Sequence, residues 1–293
     1  IGNNGTIAGN GNMAIKATTL SSGANGNIAT GKNLDLQVTQ QLDNQGKINS
    51  AGTLTFNQAG ATLNNSGSIV SAGNALIVAN VVKNDGGSLG TAAGSEGDLN
   101  LTANQLSNEG GHVTTGRDLI VTTHTLLGNG ELQGGRDLAL TMDGDYTQGN
   151  GTQQFHSNRD LSLTVTGNIT NNATFEAVRN LTLSGNAVTN NAGAVIQGQG
   201  VAIKAAGDVN NAGEINGETA LDINSGGTVN LSSNWSNAGT VNFLSGTLNL
   251  GSGAGTWSNS GTINAVAGTL NLGGSFNTAS VNLINRTAAV VNL

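Results

Sequence analysis

Four arginines recur at one position of a periodic sequence, each directly before the residue that opens a Leu-x-Leu pair. They are Arg117, Arg136, Arg159 and Arg179. The residues that follow them are Asp118, Asp137, Asp160 and Asn180. A column of guanidinium groups presents forked N–H donors, which suit the phosphate or carboxylate groups of a glycan or lipopolysaccharide. The alternative is that neighbouring Arg and Asp columns offset each other's repulsion and keep the surface soluble, and the three carboxylates favour it.

A second polar group surrounds the single tyrosine. Tyr146 begins a repeat that is longer than its neighbours, and Asp143, Asp145 and His156 lie near the ends of this repeat. Loops that widen from a regular repeat often carry binding surfaces, but a neutral insertion is the simpler interpretation. These four residues and the four arginines are the candidate surface residues of the chain.

No combination of residues predicts catalysis or a metal site. His112, His124 and His156 occupy unrelated positions of the repeat, so they are not expected to converge on a metal ion. Asp143 and Asp145 flank one glycine, but the repeated Gly-Gly-x-Gly-x-Asp pattern of calcium-binding β-rolls is missing. Nucleophile elbows, phosphate-binding loops and cysteine nucleophiles are missing as well. We therefore expect no catalytic residue, no metal and no cofactor.

The elements that position these side chains follow from one recurring pattern. A large apolar residue is followed, at steps of two, by Asn, Gly and a β-branched residue. Copies of the pattern begin at Ile1, Leu42, Leu63, Val209, Trp235 and Trp257. Alternate residues of a strand face opposite sides, and Asn and Gly accept the backbone conformations of tight turns. The pattern therefore predicts short strands separated by turns, with the aliphatic side chains inside.

The repeat has a period near 20 residues. Successive Leu-x-Leu pairs begin 19 to 23 residues apart, at Leu99, Leu119, Leu138, Leu161, Leu181, Val201 and Leu221. Three apolar positions per period predict an all-β, right-handed parallel β-helix of about 14 rungs of about 20 residues, with three short strands per rung. In such a coil Asn44, Asn65, Asn84 and Asn108 lie one above another and form an amide ladder.

Composition agrees with a solenoid and excludes several function classes. Proline and cysteine are absent, whereas glycine supplies 46 of the 293 residues. Proline lacks the backbone N–H that a strand paired on both sides must donate, so a stacked coil disfavours it. The net charge of −7 and the lack of a basic run argue against nucleic-acid binding. No apolar stretch has the length of a transmembrane helix, so we expect no membrane insertion of this segment.

The chain is expected to be one continuous β-helix fragment of a longer protein, because it begins inside a repeat. Residues 1–224 carry the regular repeats. Residues 225–293 form a variant part, since no Asp, Glu, Lys or Arg occurs between Asp222 and Arg286. This uncharged part is either a different repeat subtype or a surface that a partner covers.

The two tryptophans belong to the variant part. Trp235 and Trp257 begin copies of the pattern, as Val209 does, and Phe276 is next in line. Aromatic rings at such a position either form a sugar-binding platform or stack inside the coil. The interior stack is favoured, because the equivalent residues of other copies point inward.

Two segments carry a resemblance to a known family. They are Leu106-Ser-Asn-Glu-Gly-Gly-His-Val with Gly116-Arg-Asp-Leu-Ile-Val, and Val188-Thr-Asn-Asn-Ala-Gly-Ala-Val. They resemble the filamentous haemagglutinin repeat region of large bacterial exoproteins made by two-partner secretion. The resemblance covers residues 1 to about 224 well and the remainder less typically. Similar proteins include adhesins and contact-dependent growth inhibition exoproteins, whose stalk reaches towards a target cell.

The resemblance implies a structural and adhesive shaft that extends and presents distal domains. It implies a secreted, extracellular location at the bacterial cell surface, in association with the outer membrane. The implied partners are an outer-membrane two-partner-secretion transporter during export and a receptor or glycan on a host cell or target bacterium. It implies no enzymatic activity.

Two other functions stay open. The first is a receptor- or glycan-binding segment of the same exoprotein class, with residues 225–293 or the Tyr146 repeat as the contact surface. The second and more remote is a β-helical polysaccharide lyase or hydrolase. Such enzymes need clustered carboxylates in a cleft, which the few acidic residues of this chain do not provide.

Overall fold

The computed structural model describes residues 1–232, 235–243, 245–252, 256–281 and 283–293. Within these residues the chain is an all-β parallel solenoid of about 14 turns with one short helix. It divides into two compact units. The first unit contains residues 1–142 and 151–158, and the second unit contains residues 143–150 and 159–293.

Short strands make up nearly all of the regular structure. Strands β1 to β15 are Gly2–Asn3, Thr6–Gly9, Met13–Ser22, Asn27–Thr30, Leu34–Asn44, Lys47–Ser50, Leu54–Asn65, Ser68–Ser71, Ala75–Lys83, Ser88–Thr91, Leu99–Ser107, His112–Thr114, Leu119–Leu127, Glu131–Gly134 and Leu138–Met142. Strands β16 to β25 are Tyr146–Gln148, Gln154–Ser157, Leu161–Val165, Ile169–Asn171, Thr174–Glu176, Asn180–Gly185, Val188–Asn190, Val195–Ala205, Val209–Asn211 and Glu214–Ser225. Strands β26 to β35 are Thr228–Leu231, Trp235–Asn237, Thr240–Phe243, Thr247–Leu250, Thr256–Asn259, Thr262–Ala265, Thr269–Leu272, Ser275–Phe276, Ile284–Arg286 and Val290–Asn292. The helix α1 is Thr278–Val281.

Parallel sheets run along each unit, with one strand from each turn. In the first unit, one sheet has the order β1, β3, β5, β7, β9, β11, β13, β15, and another has the order β2, β4, β6, β8, β10, β12, β14, β17. In the second unit, the orders are β18, β21, β23, β25, β27, β30, β33, then β16, β19, β22, β24, β26, β29, β32, β35, and finally β28, β31, β34. Strand β20 pairs with β23.

Strand alternation places the aliphatic residues inside each unit. In β5 the side chains of Leu34, Leu36 and Val38 are buried, while Asp35 lies at the outer face. Leu34 pairs in register with Leu54, so equivalent positions of successive turns stack about 4.8 Å apart. Burying one leucine side chain contributes about 2 kcal/mol. The repeated interior is therefore the main source of stability.

The number of strands per turn differs from the expected three. In the first unit β5 runs without a break from Leu34 to Asn44, so this turn contains only β5 and β6. Its register shifts instead between Asp35 and Gln41, in a stretch that has no glycine or asparagine to end the strand. In the second unit Gly268 has a φ of 92°, a conformation suited to glycine, and it separates β31 from β32. The turn that contains β30, β31 and β32 therefore has three strands.

The predicted asparagine ladder is confirmed in the first unit. Nδ2 of Asn44 donates to Oδ1 of Asn65 at 2.8 Å, Asn65 donates to Asn84 at 2.7 Å, and Asn84 donates to Asn108 at 2.9 Å. Asn108 then donates to Oε1 of Gln153 at 3.0 Å. All four asparagines are at most 2% exposed. We call this column, with its counterpart in the second unit, the inner ladder.

The inner ladder of the second unit has a defined end. Asn171 donates to Asn190 at 2.8 Å, and Asn190 donates to Asn211 at 2.7 Å. Leu231 is the register partner of Asn211 on the next turn and offers no amide. Nδ2 of Asn211 consequently has no acceptor among the described residues.

The predicted interior aromatic stack is confirmed, but its register is different. The rings of Trp235 and Trp257 are 5.0 Å apart and nearly parallel, and both side chains are buried. Trp235 pairs with Ile215, whereas Val209 pairs with Val229. The expectation that Trp235 occupies the position of Val209 is therefore wrong. Strand β26 carries the register partners of β24, so the pattern returns on a different sheet.

Candidate functional site

In the first unit, two of the predicted arginines pair with carboxylates of the preceding turn. Nε of Arg117 donates to Oδ1 of Asp98 at 2.7 Å, and its Nη2 donates to Oδ2 of the same carboxylate. Arg136 makes the same fork with Asp118, with an Nε to Oδ1 distance of 2.8 Å. We call Asp98, Arg117, Asp118 and Arg136 the arginine–aspartate stripe.

The ion pairs shift the pKa of Asp98, Arg117 and Arg136. The hydrogen bond from Arg117 holds the pKa of Asp98 below its ordinary value, although burial opposes this shift. The same bond raises the pKa of Arg117, and the bond with Asp118 raises the pKa of Arg136. The arginine side chains remain 36% and 42% exposed, so solvent screens both pairs and each contributes little to stability.

In the second unit, one carboxylate contacts both of the remaining arginines. Nε of Arg179 donates to Oδ1 of Asp160 at 2.8 Å, and Nε of Arg159 lies 3.5 Å from Oδ2. The backbone N–H and the side-chain amide of Asn180 also donate to Asp160, at 3.1 Å and 3.0 Å. The hydrogen bond from Arg179, with the two from Asn180, holds the pKa of Asp160 below its ordinary value.

Carboxylates occupy the forked donors of Arg117, Arg136 and Arg179. Because a bidentate pair fixes both partners, this arrangement favours holding successive turns in register over capturing a separate anion. An anion-binding role of the arginines remains a prediction.

The residues around Tyr146 have different environments. Tyr146 is only 7% exposed, and its hydroxyl donates to Oε1 of Gln148 at 2.8 Å. This candidate side chain therefore lies in the interior and not at the surface. Asp143 and Asp145 are exposed in the same unit, and Oδ1 of Asp145 accepts a hydrogen bond from the backbone N–H of Asn168 at 2.7 Å. Asp145 thereby ties two consecutive turns.

The first unit brings two histidines to one glutamate. Nδ1 of His112 lies 2.9 Å from Oε2 of Glu131, and Nε2 of His156 lies 3.9 Å from Oε1. As expected, these histidines occupy different register positions, because His112 lies opposite Glu131 and His156 lies opposite Gln133. Both side chains nevertheless reach the carboxylate of Glu131. Among the described residues, no group of three or more His, Cys, Asp or Glu side chains has the arrangement of a metal site.

A polar groove runs along five turns of the second unit. Its main wall is a column of outward asparagines, Asn210, Asn230, Asn249 and Asn271, with Ser232 and Ser252 beside it. The groove has a volume of about 590 Å³. Nδ2 of Asn249 donates to Oδ1 of Asn230 at 2.5 Å, and Asn271 donates to Asn249 at 2.6 Å. We call this groove the amide groove.

The sequence contained a signal for this groove. Three strands share a Thr-x-Asn-Leu sequence, and they begin at Thr228, Thr247 and Thr269. Because alternate residues share a face, each Thr and Asn must lie outside when the apolar residues lie inside. The lack of charged residues marked residues 225–293 as a variant part of the chain. The recurrence of Asn at the outer position of these strands additionally identifies the asparagine column that forms the main wall of the groove.

None of the helices in the described part of the chain is long and apolar enough to cross a membrane.

The family model described as "Haemagglutinin repeat" matches residues 1–61, 50–95, 90–173, 147–191 and 164–233. The protein named "tRNA nuclease CdiA-2" from Burkholderia pseudomallei (strain 1026b) is 29% identical to this chain over 150 residues. That alignment covers 51% of this chain and 5% of the relative. No solved structure gives a significant match.

Proposed function

The chain belongs to the haemagglutinin repeat family, and from this premise we propose that it is a shaft segment of a large secreted bacterial surface protein. The observation that carries the proposal is the uniform stacking of turns around an aliphatic interior. Each turn needs only its two neighbours, so length can be added or removed without redesigning a core. A shaft extends reach and presents other domains for contact with a host cell or a neighbouring bacterium.

The proposed partners follow from the family. An outer-membrane transporter of two-partner secretion exports the chain. Outside the cell, the protein contacts a receptor or glycan on the surface of a host cell or neighbouring bacterium. The protein is then secreted and associated with the cell surface. We assign no catalytic role to the chain. The nuclease activity in the relative's name stays with that protein, since the alignment covers 5% of it.

The shaft proposal is tested by removing two whole turns from the first unit. Deleting residues 34–74 joins Asn33 to Ala75, which is two turns later at the position of Leu34. The chain contains no cysteine, so the substitutions A14C and A139C provide two unique sites for spin labels. These sites lie in one column that also contains Asp35, Thr55, Leu76, Asn100 and Ile120.

The expected label separation follows from the strand spacing. Six steps give about 29 Å in the full chain, and four steps give about 19 Å after the deletion. The deletion variant should keep its β-sheet circular dichroism. A control that deletes residues 34–63 removes one and a half turns and should unfold the segment. Unfolding of the in-register variant would contradict a modular shaft.

A second candidate function is a binding segment of the same protein class. The amide groove favours it, because a spacer does not require an uncharged groove along five turns. Competition of the isolated chain against adhesion or target-cell inhibition distinguishes the two functions. A spacer leaves contact unaffected, whereas a binder reduces it in proportion to occupancy.

A further inference from the structure

We propose that the amide groove binds an extended, uncharged glycan chain lying along the stack of turns. The inference deepens the binding function proposed above by naming the ligand class and the residues. The inference rests on that binding function, because the glycan must be present on the surface that the protein contacts. The groove itself is a feature of the second unit alone.

The lining of the groove has the chemistry that hydroxyl groups need. Asn230, Asn249 and Asn271 each offer an amide N–H pair and a carbonyl oxygen, and Ser232 and Ser252 add hydroxyl groups. The ladder uses one N–H of each asparagine, since each Nδ2 donates to the Oδ1 of the turn before. One N–H of each amide remains outside the ladder. Sugar hydroxyls both donate and accept, so they match this mixed surface.

The regular spacing of the asparagine amides along the groove matches a ligand that is itself a repeating polymer. Asn210, Asn230, Asn249 and Asn271 are register partners on successive turns. The column therefore spans three steps, or about 14 Å, with an equivalent amide every 4.8 Å or so. An extended hexose chain repeats its hydroxyls on a similar scale. Successive sugars can thus make the same contact with successive turns.

Charge selects against anionic glycans. None of the 14 residues that line the groove is charged, and the sequence has no Asp, Glu, Lys or Arg between Asp222 and Arg286. A carboxylate or sulfate placed in the groove would lose hydration without gaining a cation. A neutral chain avoids this penalty, so the groove favours it.

Small residues lie beside the amide column, namely Ala212, Gly251 and Gly273. A Cβ on Gly251 would lie 2.3 Å from the carbonyl oxygen of Gly273, and a Cβ on Gly273 would lie 2.9 Å from that of Gly251, so close contact between turns favours glycine at both positions. The lining contains no aromatic ring on which a sugar could stack. We therefore expect weak binding of each sugar and an affinity that grows with chain length, because contacts on successive turns add.

The test is titration calorimetry of the intact chain against neutral hexose oligosaccharides of increasing length, with galacturonate oligosaccharides as the charged arm. The main variant is Asn249→Leu, which removes the central amide. Its matched control is Asn264→Leu. Asn264 belongs to another outward asparagine column of the same unit, where it donates to Asn242 at 2.9 Å, and it does not line the groove.

Neutral oligosaccharides should bind more tightly as they lengthen, and high salt should leave the affinity unchanged. Asn249→Leu should weaken binding about tenfold, whereas Asn264→Leu should leave it unchanged. A third variant, Ser252→Lys, fills the groove from an exposed position without altering the asparagine column, and it should abolish binding. This variant keeps the test valid if Asn249→Leu disturbs folding.

Several results would overturn the proposal. They are no binding of any neutral oligosaccharide, salt-sensitive binding of galacturonates alone, and equal loss in the Asn249 and Asn264 variants. Self-association of the chain that Ser252→Lys abolishes would assign the groove to a second copy instead. The spin-label distances are independent of all these measurements, so the shaft can stand when the groove proposal fails.

Discussion

Two regions with similar interiors hold their turns together with different outer chemistry. Residues 98–137 of the first unit carry the arginine–aspartate stripe, in which guanidinium forks reach the carboxylates of the turn before. Residues 209–292 of the second unit carry outward asparagine columns with one amide bond per turn. The aliphatic core is common to both. The interior therefore defines the fold, while the outer face is free to set the response to salt, pH and ligands.

A substitution in the inner ladder tests whether the shared interior contributes more to stability than either outer face. The substitution Asn65→Ala removes a donor to Asn84 and to the carbonyl of Ser88, and the acceptor for Asn44, all in a buried setting. Because it leaves buried partners unsatisfied, we expect a loss of about 3 kcal/mol in the free energy of unfolding. Denaturant titration with hydrogen exchange localises the loss.

The matched control for that change is Asn249→Ala in the outward column, with an expected loss of about 1 kcal/mol or less. If both substitutions destabilise the chain equally, the inner ladder has no special role. The hydrogen bonds of the outer faces would then contribute as much to stability as those of the inner ladder.

The next effect concerns the ion pairs. In Asp118→Asn the fork from Arg136 loses its carboxylate, and Arg117 loses a charge 3.6 Å from its Nε. We expect a small loss in the free energy of unfolding at low salt, well below that of Asn65→Ala, because exposed pairs contribute little. The loss should shrink near 1 M salt, where the Debye length is about 3 Å. A salt-independent loss would show that the stripe acts by hydrogen bonding alone.

A pH titration separates the two regions further. Arg117 and Arg179 lower the pKa of Asp98 and Asp160 in the folded chain, so the ionised carboxylates add stability above their ordinary pKa, near 3.9. That stability is lost as the pH falls from about 4 towards the lowered values. Amide protection of residues 98–137 should therefore decline over this range, and that of residues 229–272 should stay constant. Arg117→Gln should remove the decline near Asp98.

The smallest effect belongs to an outward amide outside the groove. In Asn264→Ser the hydrogen bond to Asn242 and the one from Asn285 are lost, and both partners remain accessible to water. We expect about 0.5 kcal/mol, with no dependence on salt. A thermal shift that changes with ionic strength would contradict the contrast between the amide columns and the ion-paired stripe.

The sequence was sufficient for the parts of the fold that repeat. A strict spacing of apolar residues, Asn and Gly determines the stacking of equivalent positions, so the Asn44 to Asn108 ladder and the interior Trp235 and Trp257 pair were both predictable. Register was harder. Trp235 continues the pattern of Val209 in the sequence but stacks on Ile215, because strand β26 takes the next place along the sheet that contains Val209.

Contacts between side chains on different turns were the least predictable. His112, Glu131 and His156 meet only because β17 continues the sheet after an irregular loop, and no spacing in the chain indicates this pairing. Gln153 likewise replaces an asparagine in the inner ladder 45 residues after Asn108. The amide groove depends on small corner residues as well as on its asparagines, and corner geometry does not follow from periodicity alone.

The direction of the amide bonds in the second unit has an electrical consequence. In the inner ladder Asn171 donates towards Asn190, which lies on the later turn. In the groove Asn271 donates towards Asn249, which lies on the earlier turn. The inner and outer amide dipoles therefore point in opposite senses along the stack, so the inner bonds oppose the outer ones. A turn that carries both kinds of bond, such as the one with Asn190 and Asn191, adds less net dipole along the stack than a turn that carries only one kind.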